Sequence, residues 1–573
     1  MTMTASSPDQ RPIPSRLRSG GTVGRLVALW CLTVLASACG GDAPESTGET
    51  ESPPGNFDTY SGGPPGGVLV ALVEGEPDDL NPVTYTSSPA FQAVRLMFRG
   101  LARRDSTLSG YQPDLAESWE LLPDSTILLR LRRDARWHDG TPVTADDVVF
   151  TIERQGEPRT ASPRLADVAA VTSATASDSF TVSVKLGRTG PYTVKALLEV
   201  VPIPRHLLED VAPEDMRRAP FSRNPVGNGF FRFGRWESGQ QLVLEVNPDY
   251  SGGRAALDRV VMRFIPDMNA SMTELLSGQA DLLRLPPDQR QRVDAASGVE
   301  LYTAPRVRPA WIAWNVDREP VNDPAVRRAI LMSINREQLA AGLFGDVGEP
   351  AFSPIPTKLW EHSPEVRAAG FDPEGARRLL EEAGWRDSDG DGVREKGGRP
   401  LRVEVDYFPT EQWRQDVLVA IQSMIRDIGV DLAPRAYERT TWVNRLRNRE
   451  FQGSLWGWGW GPGVVGPNAE MVFHSRSIPP AGANFAGYDN PRVDELLDAV
   501  QVERDTTRAR TLWREIEQIL IDDAAYAPLY LDPELFGVSS RIRGVKFRGI
   551  EWWEDVPYWY IPEGERLPRD RSR

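Results

Sequence analysis

Asp114-Leu115-Ala116-Glu117-Ser118-Trp119-Glu120 and, after a short gap, Arg136-Trp137-His138-Asp139-Gly140-Thr141-Pro142-Val143-Thr144-Ala145-Asp146-Asp147-Val148-Val149-Phe150 form the stretch from which the fold is read. Asp139-Gly140-Thr141-Pro142 has the residues of a turn. Thr144 followed three positions later by Asp147 predicts a capping-box-like helix start. Between the two pieces, Thr126 to Leu131 is apolar and bounded by turn residues, which predicts a strand.

Working outward, Thr181 to Leu186 and Gln241 to Val246 read as further strands, and Leu401-Arg402-Val403-Glu404-Val405 alternates as a strand with one wet face does. Val68-Leu69-Val70-Ala71-Leu72-Val73 is a short apolar run that reads as a buried strand and starts the folded body. Helices show by their caps. Asp323-Pro324 opens one with Val326, Ile330 and Ile334 on a single face. Asp372-Pro373-Glu374 opens another, with Leu379, Leu380 and Ala383 inward and Gly384 as its stop. Leu512, Ile516, Ile519 and Leu520 mark a third. Strands and helices in irregular alternation give an α/β or α+β chain of several domains.

Three more segments join the opening one. They are Pro225-Val226-Gly227-Asn228-Gly229 closing at Asn247-Pro248-Asp249-Tyr250; Asn315 with Asp323 to Ile330 and Ile334-Asn335-Arg336-Glu337; and Phe485-Ala486-Gly487-Tyr488-Asp489-Asn490-Pro491-Arg492-Val493-Asp494. In this order the four segments resemble the extracytoplasmic solute-binding proteins of family 5, the dipeptide- and oligopeptide-binding receptors of ABC importers. The resemblance runs from about Val68 to about Pro562. It implies a periplasmic-binding-protein-like α/β fold of class C, two-lobed with an extra domain. The first lobe would comprise residues 68–105, 201–316 and 526–570, the extra domain 106–200 and the second lobe 317–525. The ligand would sit between the lobes, buried by closure on a hinge.

The same segments have local structural roles. Gly227 and Gly229 suit a backbone needing positive φ or close packing, and the Asp323 and Asn335 segments suit helix ends. No enzyme is indicated. The four histidines, His138, His206, His362 and His474, are not at ligand spacing from one another, and neither a Gly-x-Ser-x-Gly elbow nor a phosphate-binding Gly-x-x-x-x-Gly-Lys loop occurs. No cofactor is expected. Asp387-Ser388-Asp389-Gly390-Asp391-Gly392 resembles the start of a calcium loop. Gly398, however, stands at the twelfth position, where a bidentate Glu is needed, so a polar turn into the strand at Leu401 is the simpler reading.

Leu455-Trp456-Gly457-Trp458-Gly459-Trp460-Gly461-Pro462 is the segment most suited to a ligand. Alternation in an extended chain turns Trp456, Trp458 and Trp460 to one face, where indole rings can stack on sugars, peptide side chains or other planar groups. Burial in a core strand is the alternative for each ring. By the resemblance this segment lines the pocket, Tyr85, Thr86 and Ser87 lie in an early loop that reaches it, and Trp311 and Trp314 lie near the crossing between lobes. Peptide binders of the family place an aspartate just after the aromatic stretch, to pair with the ligand's amino terminus. This chain has no acid from Gly461 until Glu470. A buried ammonium without a carboxylate is costly, which favours neutral or sugar-like solutes, with Asn468 or Glu470 as substitutes.

The N-terminus supplies an address. Arg16, Arg18 and Arg25 precede an apolar stretch from Leu26 to Ala36, about half the ~20 residues that span a bilayer. Leu35-Ala36-Ser37-Ala38-Cys39 follows, and the whole fits a secretory signal, residues 1–38. It resembles a bacterial lipoprotein signal whose cysteine, here Cys39, is acylated, with Ala36 where leucine is usual. Residues 39–67 are rich in Gly, Pro, Ser, Thr and Glu and read as a flexible leash. The other cysteine, Cys31, leaves with the signal, so no disulfide is expected. Of the formal charge of −15, residues 1–38 contribute four Arg and one Asp, a net +3, which leaves −18. Such a surface repels nucleic acid. These readings describe a monomeric receptor outside the cytoplasm, tethered by lipid, with a small solute and ABC permease subunits as partners. A sensor or scaffold that keeps the fold without delivering cargo is the alternative.

Overall fold

Val68–Val73 is buried along its whole length because it lies inside a sheet covered on both faces. The computed structural model describes residues 63–571 apart from 106–107, 109, 305–306, 410–411, 461–464, 533 and 548–551. Cys39, the signal segment and most of the leash therefore lie outside the described residues.

The strand pairs in parallel with Arg259–Phe264 on one side and Leu282–Leu285 on the other. Leu69, Ala71 and Val73 enter one core and Val68, Val70 and Leu72 the opposite one, so both faces are apolar. The full sheet has seven strands, in the spatial order Val299–Ala304, Glu534–Ser539, Leu282–Leu285, Val68–Val73, Arg259–Phe264, Gln241–Val246, Phe231–Glu237. A second sheet has six: Glu349–Pro350, Tyr526–Leu531, Pro309–Trp314, Gly453–Gly457, Arg402–Tyr407 and Asp431–Ala436. A four-stranded antiparallel sheet, built from Ala116–Leu121, Thr126–Leu131, Thr181–Leu186 and Val171–Asp178, has its own core.

The chain passes between the two large sheets twice, from Ala304 to Pro309 and from Leu531 to Glu534. Pairing continues on both sides of the passage, Ala304 with Glu534 and Pro309 with Leu531. Pro309–Trp314 and Tyr526–Leu531 fall in stretches expected for the first lobe, yet they pair with each other inside the six-stranded sheet, where Pro309–Trp314 also pairs with Gly453–Gly457 and Tyr526–Leu531 with Glu349–Pro350.

The family-like segments serve as joints. Asp147 caps the helix Ala145–Gly156 by accepting from the Thr144 amide at 2.8 Å, and it also accepts from Trp137 Nε1 and the Arg205 amide. His138 ties the first segment to the second: its Nδ1 accepts from the Gly227 amide at 3.1 Å and its Nε2 lies 3.2 Å from the Gly229 carbonyl. At Gly227 a methyl group would stand 2.1 Å from the Met97 carbonyl oxygen, so close packing explains that glycine. Asp323 and Asn335 cap the helices Pro324–Met332 and Arg336–Phe344. No helix among the described residues is long and apolar enough to cross a membrane.

Candidate functional site

Trp456, on strand Gly453–Gly457, is directly opposite Trp311 on Pro309–Trp314, and their rings meet edge to face with centroids 5.6 Å apart. Strand alternation places Trp311 and Ala313 in this aromatic core and Ala310, Ile312 and Trp314 in the core behind the sheet. Trp311 and Trp314 therefore face opposite ways. Trp314 packs where a methyl group on Gly453 would stand 2.5 Å from its ring, and its position is that of a core residue.

Regular pairing stops at Gly457, yet Trp458 and Trp460 stay on the Trp456 side. Trp458 meets Trp456 edge to face at 5.8 Å, and Trp460 lies 5.7 Å from Phe473. Trp460 and Trp311 have no exposed surface and Trp456 has 6 %, whereas Trp458 is half-buried. Of the row, Trp458 has the most surface to offer a ligand. The indole N–H groups of Trp311, Trp456, Trp458 and Trp460 are buried and have no acceptor among the described residues, as holds also for Trp314, Trp360, Trp385, Trp413 and Trp559.

Leu108 and Tyr192, from the stretch expected for the extra domain, join this core. The Tyr192 hydroxyl accepts from Trp513 Nε1 at 2.9 Å and lies 3.4 Å from Glu361 Oε1. Nothing in the sequence marks these residues, because their role depends on contacts 150 or more positions away.

The early loop is built differently. Tyr85 is buried in the core of the seven-stranded sheet, under the Arg164 guanidinium 3.6 Å from its ring centroid, and burial pushes its hydroxyl pKa up. Thr86 is exposed. Its amide and hydroxyl donate to Asp78 at 2.8 and 2.6 Å, while Ser87 caps the helix Ser88–Met97. Burial opposes ionisation of Asp78, but the Ser87 and Thr86 hydrogen bonds outweigh it and hold the carboxyl well below its usual range. The structure thus places Tyr85 and the tryptophan row in separate cores.

Asp387, Asp389 and Asp391 converge with Glu395, their carboxylate oxygens within 4.8 Å of one another. Glu395 is a member the motif did not announce. The same oxygens accept from the loop's own amides, Asp387 from Gly390 and Gly392 and Asp391 from Val393, as in a self-capped polar turn. His138, held between two backbone groups and pushed down to about 4 by burial, is a strut and not a base.

Residues 110–479 match the bacterial extracellular solute-binding proteins, family 5, over their middle region. The oligopeptide-binding protein AppA of Bacillus subtilis is 26% identical over 544 residues, covering 94% of this chain and 98% of AppA. Heme-binding protein A of Haemophilus influenzae is 23% identical over 553 residues, covering 90% and 95%. The structure of B. subtilis AppA in complex with a nonapeptide superposes with a TM-score of 0.70 at 25% identity, covering 87% of this chain and all of that one. Two large sheets joined by a double crossing, with a third small sheet beside them, are the two-lobed architecture with its extra domain, and the chain belongs to the family 5 bacterial extracellular solute-binding proteins, which are binding proteins and not enzymes.

Proposed function

We propose that this protein is the solute receptor of an ABC importer, taking up a peptide or other small oligomeric solute between its lobes and handing it to a membrane permease. The first lobe would carry the seven-stranded sheet, the second the six-stranded sheet, and residues 106–200 the extra domain. Lipid on Cys39 would hold the receptor at the outer face of a membrane.

The observation that carries this reading is the row of indoles. Trp458, the half-buried member beside the crossing between the sheets, has an indole N–H without an acceptor among the described residues and suits a solute that offers oxygen acceptors. Peptide carbonyls meet that need, and the oligopeptide-binding relative and the nonapeptide complex support them. Sugar hydroxyls meet it too. The run from Gly461 to Asn468, without an acid to pair with a peptide's ammonium, favours that second reading.

Native mass spectrometry of the purified protein tests both. A co-purified mass that fragments into amino acids supports peptide capture. A hexose ladder moves the assignment to oligosaccharides. A protein that arrives empty and then binds neither peptide nor oligosaccharide pools contradicts the receptor reading.

A further inference from the structure

Tyr192 leaves the core of its own helix. In Pro191–Leu198, Val194, Leu197 and Leu198 pack into the core of the four-stranded sheet, while Tyr192 is buried with Trp311 and Trp460 in the aromatic core. Two glycines make room for this. A methyl group on Gly190 would stand 1.9 Å from the Gln501 carbonyl oxygen, and one on Gly466 would stand 2.4 Å from the Tyr192 ring. At the rim the Arg504 guanidinium bonds the Thr189 hydroxyl.

Glu361 sits behind the Tyr192 hydroxyl and is 1 % exposed. Its Oε2 is buried with no hydrogen-bond partner among the described residues, and the carboxyl is otherwise met by the long contact from Tyr192 to Oε1 and by its own backbone amide. Glu517 shows what a satisfied acid looks like in the same region. It too is fully buried, but it accepts from Ser353 Oγ at 2.5 Å, His362 Nδ1 at 2.9 Å and the Ser363 amide at 2.7 Å. An ionised carboxylate left as Glu361 is would carry a large desolvation cost, whereas the protonated form is neutral and far less costly to bury.

We infer that Tyr192, Trp513 and Glu361 form a clasp between the four-stranded unit and the six-stranded lobe, fastened when Glu361 carries a proton and loosened when it ionises. The charged groups facing the acid are Lys195, one turn beyond Tyr192, and Arg510 on the helix Thr506–Asp523; both favour ionisation, as do the hydrogen bonds from the acid's own amide and from Tyr192. Burial outweighs them and pushes Glu361 up to about 7, against 4.5 for an ordinary Glu. Opening the clasp returns the acid to water. Closing therefore takes up a proton between these two values, and the closed form gains as pH falls through about 7. The clasp rests on the two-lobed fold and not on the identity of the solute.

Small-angle X-ray scattering of the ligand-free protein at about pH 5.5 and about pH 8 tests it. The radius of gyration should be larger at the higher pH. Glu361→Gln, neutral at both, should stay compact throughout, and Tyr192→Phe, which removes the bridging hydroxyl, should be expanded at both. A wild-type radius independent of pH overturns the clasp, as does a pH response that persists in Glu361→Gln. Should Glu361→Gln lose its native circular dichroism, Tyr192→Phe decides alone: a radius equal to wild type at the lower pH overturns the inference.

Discussion

Arg541 and Asp281, 260 positions apart, form a buried pair in which Nε meets Oδ1 at 2.7 Å and Nη2 meets Oδ2 at 2.8 Å. Arg541 also bonds Asp570 at 2.6 Å, Asp281 accepts from the Val70 amide, and Asp570 accepts from the Val68 amide. The network thus fastens the C-terminal turn to the first strand of the seven-stranded sheet. Asp281→Ala would leave the Arg541 charge in the interior short of a partner. Removal of one member of a buried pair costs about 3–5 kcal/mol, and urea titration should show a loss of that size. A variant within ~1 kcal/mol of wild type would show that water replaces the carboxylate there.

Trp458 and Trp460 should separate binding from stability. Trp460 has no exposed surface, and its truncation should cost about 3–5 kcal/mol of folding free energy through the cavity left behind. Trp458 is half-buried, so Trp458→Ala should be much milder in folding yet weaken the co-purified solute by more than ~1 kcal/mol if the ring stacks on it. Calorimetric titration with that solute gives the answer. Unchanged affinity in a folded Trp458→Ala protein removes this residue from the site.

What the sequence made legible here is what depends on near neighbours. The cap at Asp323 and the stop at Gly384, whose φ is +87°, are local chemistry, and the helices Pro324–Met332 and Pro373–Glu382 lie where those residues put them. The alternation of Leu401 to Val405 gives a strand, Arg402–Tyr407, with Val403 and Val405 buried and Arg402 exposed. Trp311 and Trp314 show where such reading ends. Their spacing of three separates their faces in a strand, and which face meets the aromatic core depends on pairing with Trp456, far along the chain. Glu361 and Tyr192 are further beyond reach, since neither stands in a motif and their meaning lies in a contact across 169 positions.

Membrane attachment has a direct test at Cys39. If the thiol carries the lipid and residues 1–38 are removed, Cys39→Ser takes away the acyl chains that would partition into a bilayer, and a surface this acidic adds little affinity for lipid on its own. Fractionation of cells should move the protein from the membrane pellet to the soluble fraction, and mass spectrometry of the wild-type N-terminal peptide should show the added acyl mass. Equal distribution of the two proteins would place the anchor elsewhere.

His138 predicts a pH dependence of stability with a definite sign. Burial holds its folded-state pKa down to about 4, against 6.5 for an ordinary imidazole, and the Gly229 carbonyl offsets only part of that. Between these values the unfolded chain takes up a proton that the folded chain does not, so stability falls as pH drops from 6.5 toward 4. His138→Asn keeps polar contact with Gly227 and Gly229 but cannot titrate. The variant should be less stable than wild type at neutral pH, and the gap should narrow as pH falls through this window. The other three histidines and the carboxylates are common to both proteins and cancel in the comparison. Urea midpoints measured across the window decide the matter: a gap that stays constant with pH would mean that the imidazole is as free to protonate in the fold as in water.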